Sequence, residues 1–461
     1  MDVELLIRGG TVVTADGSTR AAIAIDGGRI VAIVPVGDLE PVAARVVDAT
    51  HLHVLPGVID THTHARDPSV AEREDFGSAT AAAAAGGITT ILEMPISTPS
   101  VHAATVLRQR ASIVGPKAFV DFGLYGGAAA DNVESIAGLA AAGAVGFKTF
   151  RTPRPAGRER EFIGLVATDA ADYFTAMRAV AETGLVGAVH AEDTQLLAAR
   201  ELMLRGGGVA GPRSHLRWRP PVVERASVAQ SLELAAAAGA RVQIAHASDA
   251  HVVDLVTRAR ADGVRATVET CPHYLFLDET ALDRHGPFAK INPPLRSPEA
   301  VGLLWERVIG GEVDVIGSDH SPFLVEEKAP FADDMWRAMP GAPGLEALLP
   351  LMLTAAVEGR LSLEQVVRLT AANAARIFDL GAKGSLAVGA DADVALVQLG
   401  GPWRIDTSTW LTRSRGTAAI WDGREVRARV LGTWVRGRQV WDAVDGIVGE
   451  PGWGRLVKPG A

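Results

Sequence analysis

Cysteine is nearly absent: the 461 residues include one, Cys271. No disulfide can form within the chain, which fits a reducing compartment such as the cytoplasm. Aromatic residues are scarce, at 5 %, and the nine tryptophans are scattered without forming a stacking strip. Positive charge is not in excess. The formal net charge is −9, and such an acidic surface repels phosphate backbones, so nucleic acid is not an expected partner. Long apolar runs are also missing. The alanine-rich stretches are short and broken by glycine or charge, so no membrane span is expected. The N-terminal MDVELLIRGG has no basic stretch followed by a long apolar run, hence no signal peptide is expected. With 48 % hydrophobic and 21 % charged residues, disorder is excluded as well.

What is present has two textures. Residues 2–50 read as short strands parted by Gly-Gly, Asp-Gly and Asp-Gly-Gly, which are hairpin signals. The same texture returns in GADADVALVQL and in GTAAIWDGREVRARVLGTWVRGRQVW. Between these ends strands and helices alternate, which implies a parallel sheet. The strand candidates are LPGVIDTHTH, GITTILEMP, AFVDFGLYG, AVGFKTF, LVGAVHAED, RVQIAHAS, RATVETCPHY and DVIGSDHSP. The pattern predicts an α/β fold: a (β/α)8 TIM-like barrel over 56–384, and a small β-sandwich domain built from both termini, 1–55 with 385–445. Residues 446–461 form a C-terminal tail. The barrel exceeds the typical ~250 residues, and the excess sits in long loops at 151–170, 205–226 and 321–343, lengths typical of lids or binding loops.

Polar residues cluster at one place in this pattern. His62, His64, Lys148, His190, His246 and Asp319 each fall at the carboxyl end of a strand candidate, the end where such barrels build active sites. In His62-Thr63-His64 the two imidazoles share a strand face and can bind one ion; a solvated pair at a strand tip is the plain alternative. Lys148 lies in the apolar AVGFKTF. It either snorkels to a rim or, buried as a free amine, takes up carbon dioxide to become a carbamate that bridges two metals. His190 and His246 singly read as structural histidines; beside the His-Thr-His pair they read as ligands. Asp319, in GSDHSP, can bind metal and move a proton. Imidazole and carboxylate suit zinc and similar divalent ions.

The stretch GVIDTHTHARDPSVAEREDFGSATAAAAAGGITTILEMP resembles the amidohydrolase superfamily, in its branch of allantoinases, hydantoinases (dihydropyrimidinases) and dihydroorotases. The likeness continues through VGFKTF, VHAED, AHAS, ETCPHYLFLD, INPPLRS, GSDHSPF, TAANAARIFDL and GSLAVGADADVALV, and covers all but about the last fifteen residues. The resemblance implies that His62 and His64 bind one divalent metal and His190 and His246 a second, with Lys148 as bridging carbamate. Asp319 then ligates the first metal and serves as general base and acid, while a metal-bridging hydroxide opens the ring of a small cyclic amide. It also implies that Asn292 contacts substrate and that the protein is a homo-oligomer, a dimer or tetramer.

Within the branch the signals divide. GFKTF and ETCPHYLFL resemble allantoinase, and RTPRP lacks the tyrosine usual in hydantoinases. The Trp-Gly-Gly of allantoinases after the eighth strand is absent; the chain has MPGAPG. Arg66 completes the His-x-His-x-Arg of dihydroorotases, in which arginine grips a substrate carboxylate. The asparagine expected after Met-Pro in that subgroup is Ile96 here. A salt bridge from Arg66 to Asp67, Glu72 or Asp75 is the plain alternative. The favoured expectation is therefore a neutral cyclic ureide or imide as substrate, with a carboxylated ring as the alternative. A non-catalytic scaffold is remote, because all six ligand positions are filled, and Lys148 argues against a mononuclear relative. Cys271 reads as a small core residue and His273 as a support to the ligands. His51, His53, His102, His215, His251 and His285 belong to no constellation.

Overall fold

The computed structural model describes residues 2–460. Eight parallel strands form the barrel. They are β1 (Val58–Thr63), β2 (Ile88–Glu93), β3 (Asp121–Leu124, continued by Gly126–Gly127), β4 (Phe147–Phe150), β5 (Val186–His190), β6 (Arg241–Ile244), β7 (Ala266–Thr270) and β8 (Val315–Ile316). Neighbours pair in chain order. The barrel closes where Thr63 at the end of β1 bridges His320 beyond β8. Nearly every residue of these strands is buried, as expected of a parallel sheet covered on both faces.

The surrounding helices follow local rules. In Ala170–Thr183 the Asp169 carboxylate caps the Asp172 N–H, and Gly184 ends the helix at φ 72°. Tyr173, Ala176, Met177 and Val180 recur at helical spacing and form its buried face. The segment 205–226, expected as a loop, is largely helical: Ser214–Trp218 is one turn, and the next helix begins at Pro221. Proline at the first helical position lacks only an N–H that has no partner there anyway.

The second domain is a β-sandwich assembled from both ends of the chain. A ten-stranded sheet contains the strands from Asp2–Arg8 to His53–Pro56 together with those from Val394–Arg404 to Gly446–Ile447. The two halves join where His53–Pro56 runs antiparallel to Val394–Arg404, pairing Pro56 with Val394. The final residues return to the barrel: the Phe122 N–H donates to Arg455 O and the Val457 N–H to Phe122 O. Among the described residues no helix is long and apolar enough to cross a membrane.

Candidate metal centre and active site

Strand ends from around the barrel bring the polar residues together. His62 lies within β1, with His64 one residue beyond it; Lys148 is in β4 and His190 ends β5. His246 and Asp319 follow β6 and β8 by two and three residues. All six are buried. Asp319 Oδ1 stands 3.3 Å from His62 Nε2 and 3.6 Å from His64 Nε2. These three residues form a donor set whose atoms lie within 4.8 Å of one another. A second pair faces them: His190 Nδ1 is 2.8 Å from His246 Nε2, and the His62 and His246 rings are 5.3 Å apart.

Two carboxylates fix which ring nitrogens are free. His62 Nδ1 donates to Glu269 Oε1 at 2.8 Å, and His190 Nε2 donates to Glu192 Oε2 at 2.9 Å. Each bond leaves the other ring nitrogen with its lone pair turned to the cluster. Burial holds His64, His190 and His246 below the usual imidazole range, so they are neutral and able to coordinate. Burial works against charge on Glu192 too, but Arg219 and His190 bring it down to about 2.

Lys148 is fully buried, and its Nζ has no hydrogen-bond partner among the described residues. Burial lowers its pKa to about 8, against the pull of Glu269 and Asp319. An orphaned amine among four imidazoles is costly unless something else occupies the space between them. Burial raises Asp319 to about 6, with His62 and Lys148 opposing the shift. Arg66, His246 and Asp319 all have positive φ, at 58°, 41° and 45°. Such backbone is unfavourable for side-chain-bearing residues and collects at functional sites.

The donors open into a cavity of 110 Å³, walled by Ile96, Phe150, Phe162 and Phe323 and reached by Arg66 and Asn292. Past Thr152, Pro155 and Pro340 it continues into an outer chamber of 780 Å³. Arg66 makes none of the salt bridges that are the alternative to a substrate contact. Its Nη2 donates to Ser321 Oγ at 2.9 Å, its guanidinium stacks 5.1 Å over Phe323, and Nε and Nη1 have no partner among the described residues. Asp67 pairs with Lys117 instead, and Asp75 with Arg413. Burial lowers Arg66 to about 9, helped by Arg158 and Arg73. In the 151–160 loop Arg154 pairs with Asp131 and Arg158 with Glu161. Asn292 Oδ1 is buried without a partner among the described residues.

Glu269 was not singled out by sequence reasoning. It is fully buried and takes bonds from His62 Nδ1, the His246 N–H at 3.2 Å, Thr61 Oγ1 at 2.5 Å and Gln243 Nε2 at 3.2 Å. Its one sequence signal is a carboxylate inside a barrel strand, in ATVET. His320, next to Asp319, stays outside the cluster and sits 3.2 Å from Glu74 Oε2.

A ring of imidazoles and a carboxylate at the carboxyl end of a (β/α)8 barrel defines a metal-dependent hydrolase. The sequence model of the amidohydrolase family matches residues 53–440. An allantoinase of Deinococcus radiodurans is 36 % identical over 100 % of this chain and 99 % of its own. An L-hydantoinase of Paenarthrobacter aurescens is 34 % identical over 98 % of both chains. The solved L-hydantoinase (dihydropyrimidinase) from Arthrobacter aurescens superposes with a TM-score of 0.94 at 33 % identity, covering 99 % of this chain and 100 % of that one. The chain belongs to the amidohydrolase family, in its branch of cyclic amide hydrolases acting on C–N bonds.

Proposed function

We propose that the protein opens a neutral five- or six-membered cyclic ureide or imide, as its allantoinase and hydantoinase relatives are named for doing, at a binuclear divalent-metal centre. The observation that carries this reading is the convergence of His62, His64, His190, His246 and Asp319 around the unpartnered Lys148 Nζ. These residues fit two ions: His62, His64 and Asp319 would hold one and His190 and His246 the other, with Lys148, once carboxylated by carbon dioxide, as a shared ligand. The donor set suits zinc. Such ions supply Lewis acidity, polarising a ring carbonyl and lowering the pKa of the attacking water. Asp319 accepts a proton from that water and returns it to the ring nitrogen as the C–N bond breaks, so one water is added across the bond. The apolar wall of Ile96, Phe150 and Phe162 packs the ring and excludes solvent. Arg66 and Asn292 orient its polar edge. A single buried thiol and an acidic surface accord with a cytoplasmic enzyme, and the relatives' branch with a homo-oligomer.

The two unpartnered nitrogens of Arg66 favour one other reading, a ring bearing a carboxylate. Turnover of allantoin, hydantoins, dihydrouracil and dihydroorotate by wild type and Arg66→Ala separates the two. The neutral-ring reading expects a neutral substrate to be best. If a carboxylated ring is best, and its kcat/KM alone falls by about ten- to a hundredfold in the variant, the second reading replaces the first.

A further inference from the structure

Two buried lysines outside the ligand set take no part in the chemistry above. Lys290 is 3 % exposed and Lys328 not at all. Among the described residues their partners are main-chain carbonyls and no carboxylate. Lys290 Nζ donates to Met335 O at 2.5 Å and Ala338 O at 2.6 Å. Lys328 Nζ donates to Gly341 O and, at 3.4 Å, to Lys290 O. The Gly341 N–H returns to Lys290 O at 2.8 Å. The two side chains thus clasp segment 335–341 onto residue 290. Pro340 and Gly341 line the inner cavity, and so does Asn292, two residues from Lys290.

An ammonium buried without a counter-ion is costly, but its bonds to the carbonyls are charge-assisted, and the neutral amine makes weaker ones. What the ammonium offers is three N–H donors and a charge that can be lost. Burial lowers both lysines to about 7, with Arg219 adding to the effect on Lys290 and Lys290 to that on Lys328. The charged and titratable groups facing Lys290 are Arg205, Arg219, Glu201, Asp334 and His215, and Glu327 faces Lys328.

We propose that Lys290 and Lys328 are positioning residues of the ring-opening site: their ammonium groups hold segment 335–341 against Asn292, and this wall loosens when they lose their protons. The catalytic consequence rests on the function proposed above, but the clasp does not. The test is hydrogen exchange of the metal-loaded, full-length protein between pH 6 and 9, with rates divided by intrinsic chemical rates. Protection of 335–341 should fall by about tenfold, while the helix Ala170–Thr183 keeps its own. Lys290→Met and Lys328→Met should show the loosened segment already at pH 6. With metal content unchanged, they should raise KM by about tenfold and change kcat much less. Protection at 335–341 that merely tracks the barrel across this pH range overturns the proposal, and so does an unchanged KM in both variants. The wild-type exchange profile decides the matter if the variants do not fold. It needs no substrate, so it stands apart from any failure of the proposed activity.

Discussion

Replacing Glu269 by glutamine tests whether the carboxylate beneath His62 acts through the metal centre. Glu269 accepts four bonds, two at each oxygen. Glutamine keeps the shape but offers one acceptor oxygen. If that oxygen takes the Oε1 position, the His62 and His246 bonds survive as neutral ones. The new amide then faces Thr61 Oγ1, which can turn to accept, and Gln243 Nε2, whose amide can flip. The fold therefore survives, and the main loss is the charge that made the His62 bond strong and the imidazole a good donor. Removal of such a partner costs about 10- to 100-fold in metal affinity, or about 1.4–2.7 kcal/mol. The assay reconstitutes metal-free protein with zinc against a competing chelator, with kcat measured at saturating metal. Affinity within about twofold of wild type would refute the argument, since an outer carboxylate that tunes its ligand cannot be neutralised without effect.

Lys148→Ala should abolish metal binding and turnover, and short carboxylates added with metal should restore part of both; full activity without additive sinks the bridging role. Asp319→Asn should keep the fold and lose about 10²–10⁴ in kcat, measured at matched metal content. Glu346 is raised to about 8 by burial, despite the Leu411 and Thr412 amides that lower it. Its folded form thus keeps a proton that the unfolded chain releases above the ordinary 4.5, and this stability is lost as pH rises from there to about 8. Glu346→Gln should therefore gain in Tm relative to wild type as pH goes from 6 to 9; a flat or falling difference contradicts that assignment.

The barrel was legible because buried parallel strands read as apolar runs, and because polar residues at their ends stand out against them. Lys148 is visible in AVGFKTF for that reason. Residues whose meaning depends on distant partners were not legible. Glu269 pairs with His62 across 207 positions, and no local pattern marks that. The stretch 205–226 reads as loop, yet the helix Pro221–Ala238 begins within it, with proline at a helix-starting position. The Arg66 salt bridges were an alternative drawn from sequence proximity alone, and residue 66 has positive φ, with its guanidinium going to Ser321 and Phe323.

The molecule also contains an internal control for the metal-centre argument. Asp121, Asp391 and Asp393 form a second buried cluster whose oxygens converge closely enough to hold an ion. Carboxylates alone would make it the better cation site. Its charge is already met: Lys383 Nζ reaches Asp391 at 3.0 Å and Asp393 at 2.8 Å, and also pairs with Asp121, which Arg436 engages in turn. That network ties β3 to the sandwich domain and leaves no place for an ion. At the barrel mouth the relation is inverted. The one lysine of the cluster has no partner among the described residues, His64, His190 and His246 are neutral, and Glu269 and Glu192 are turned outward to hold ring nitrogens in place. Convergent acidic groups are thus not what marks the candidate centre. The mark is convergent imidazole lone pairs, with His62 and His190 held from behind by carboxylates, around a lysine left unsatisfied, a cost that folding bears only where something is meant to bind.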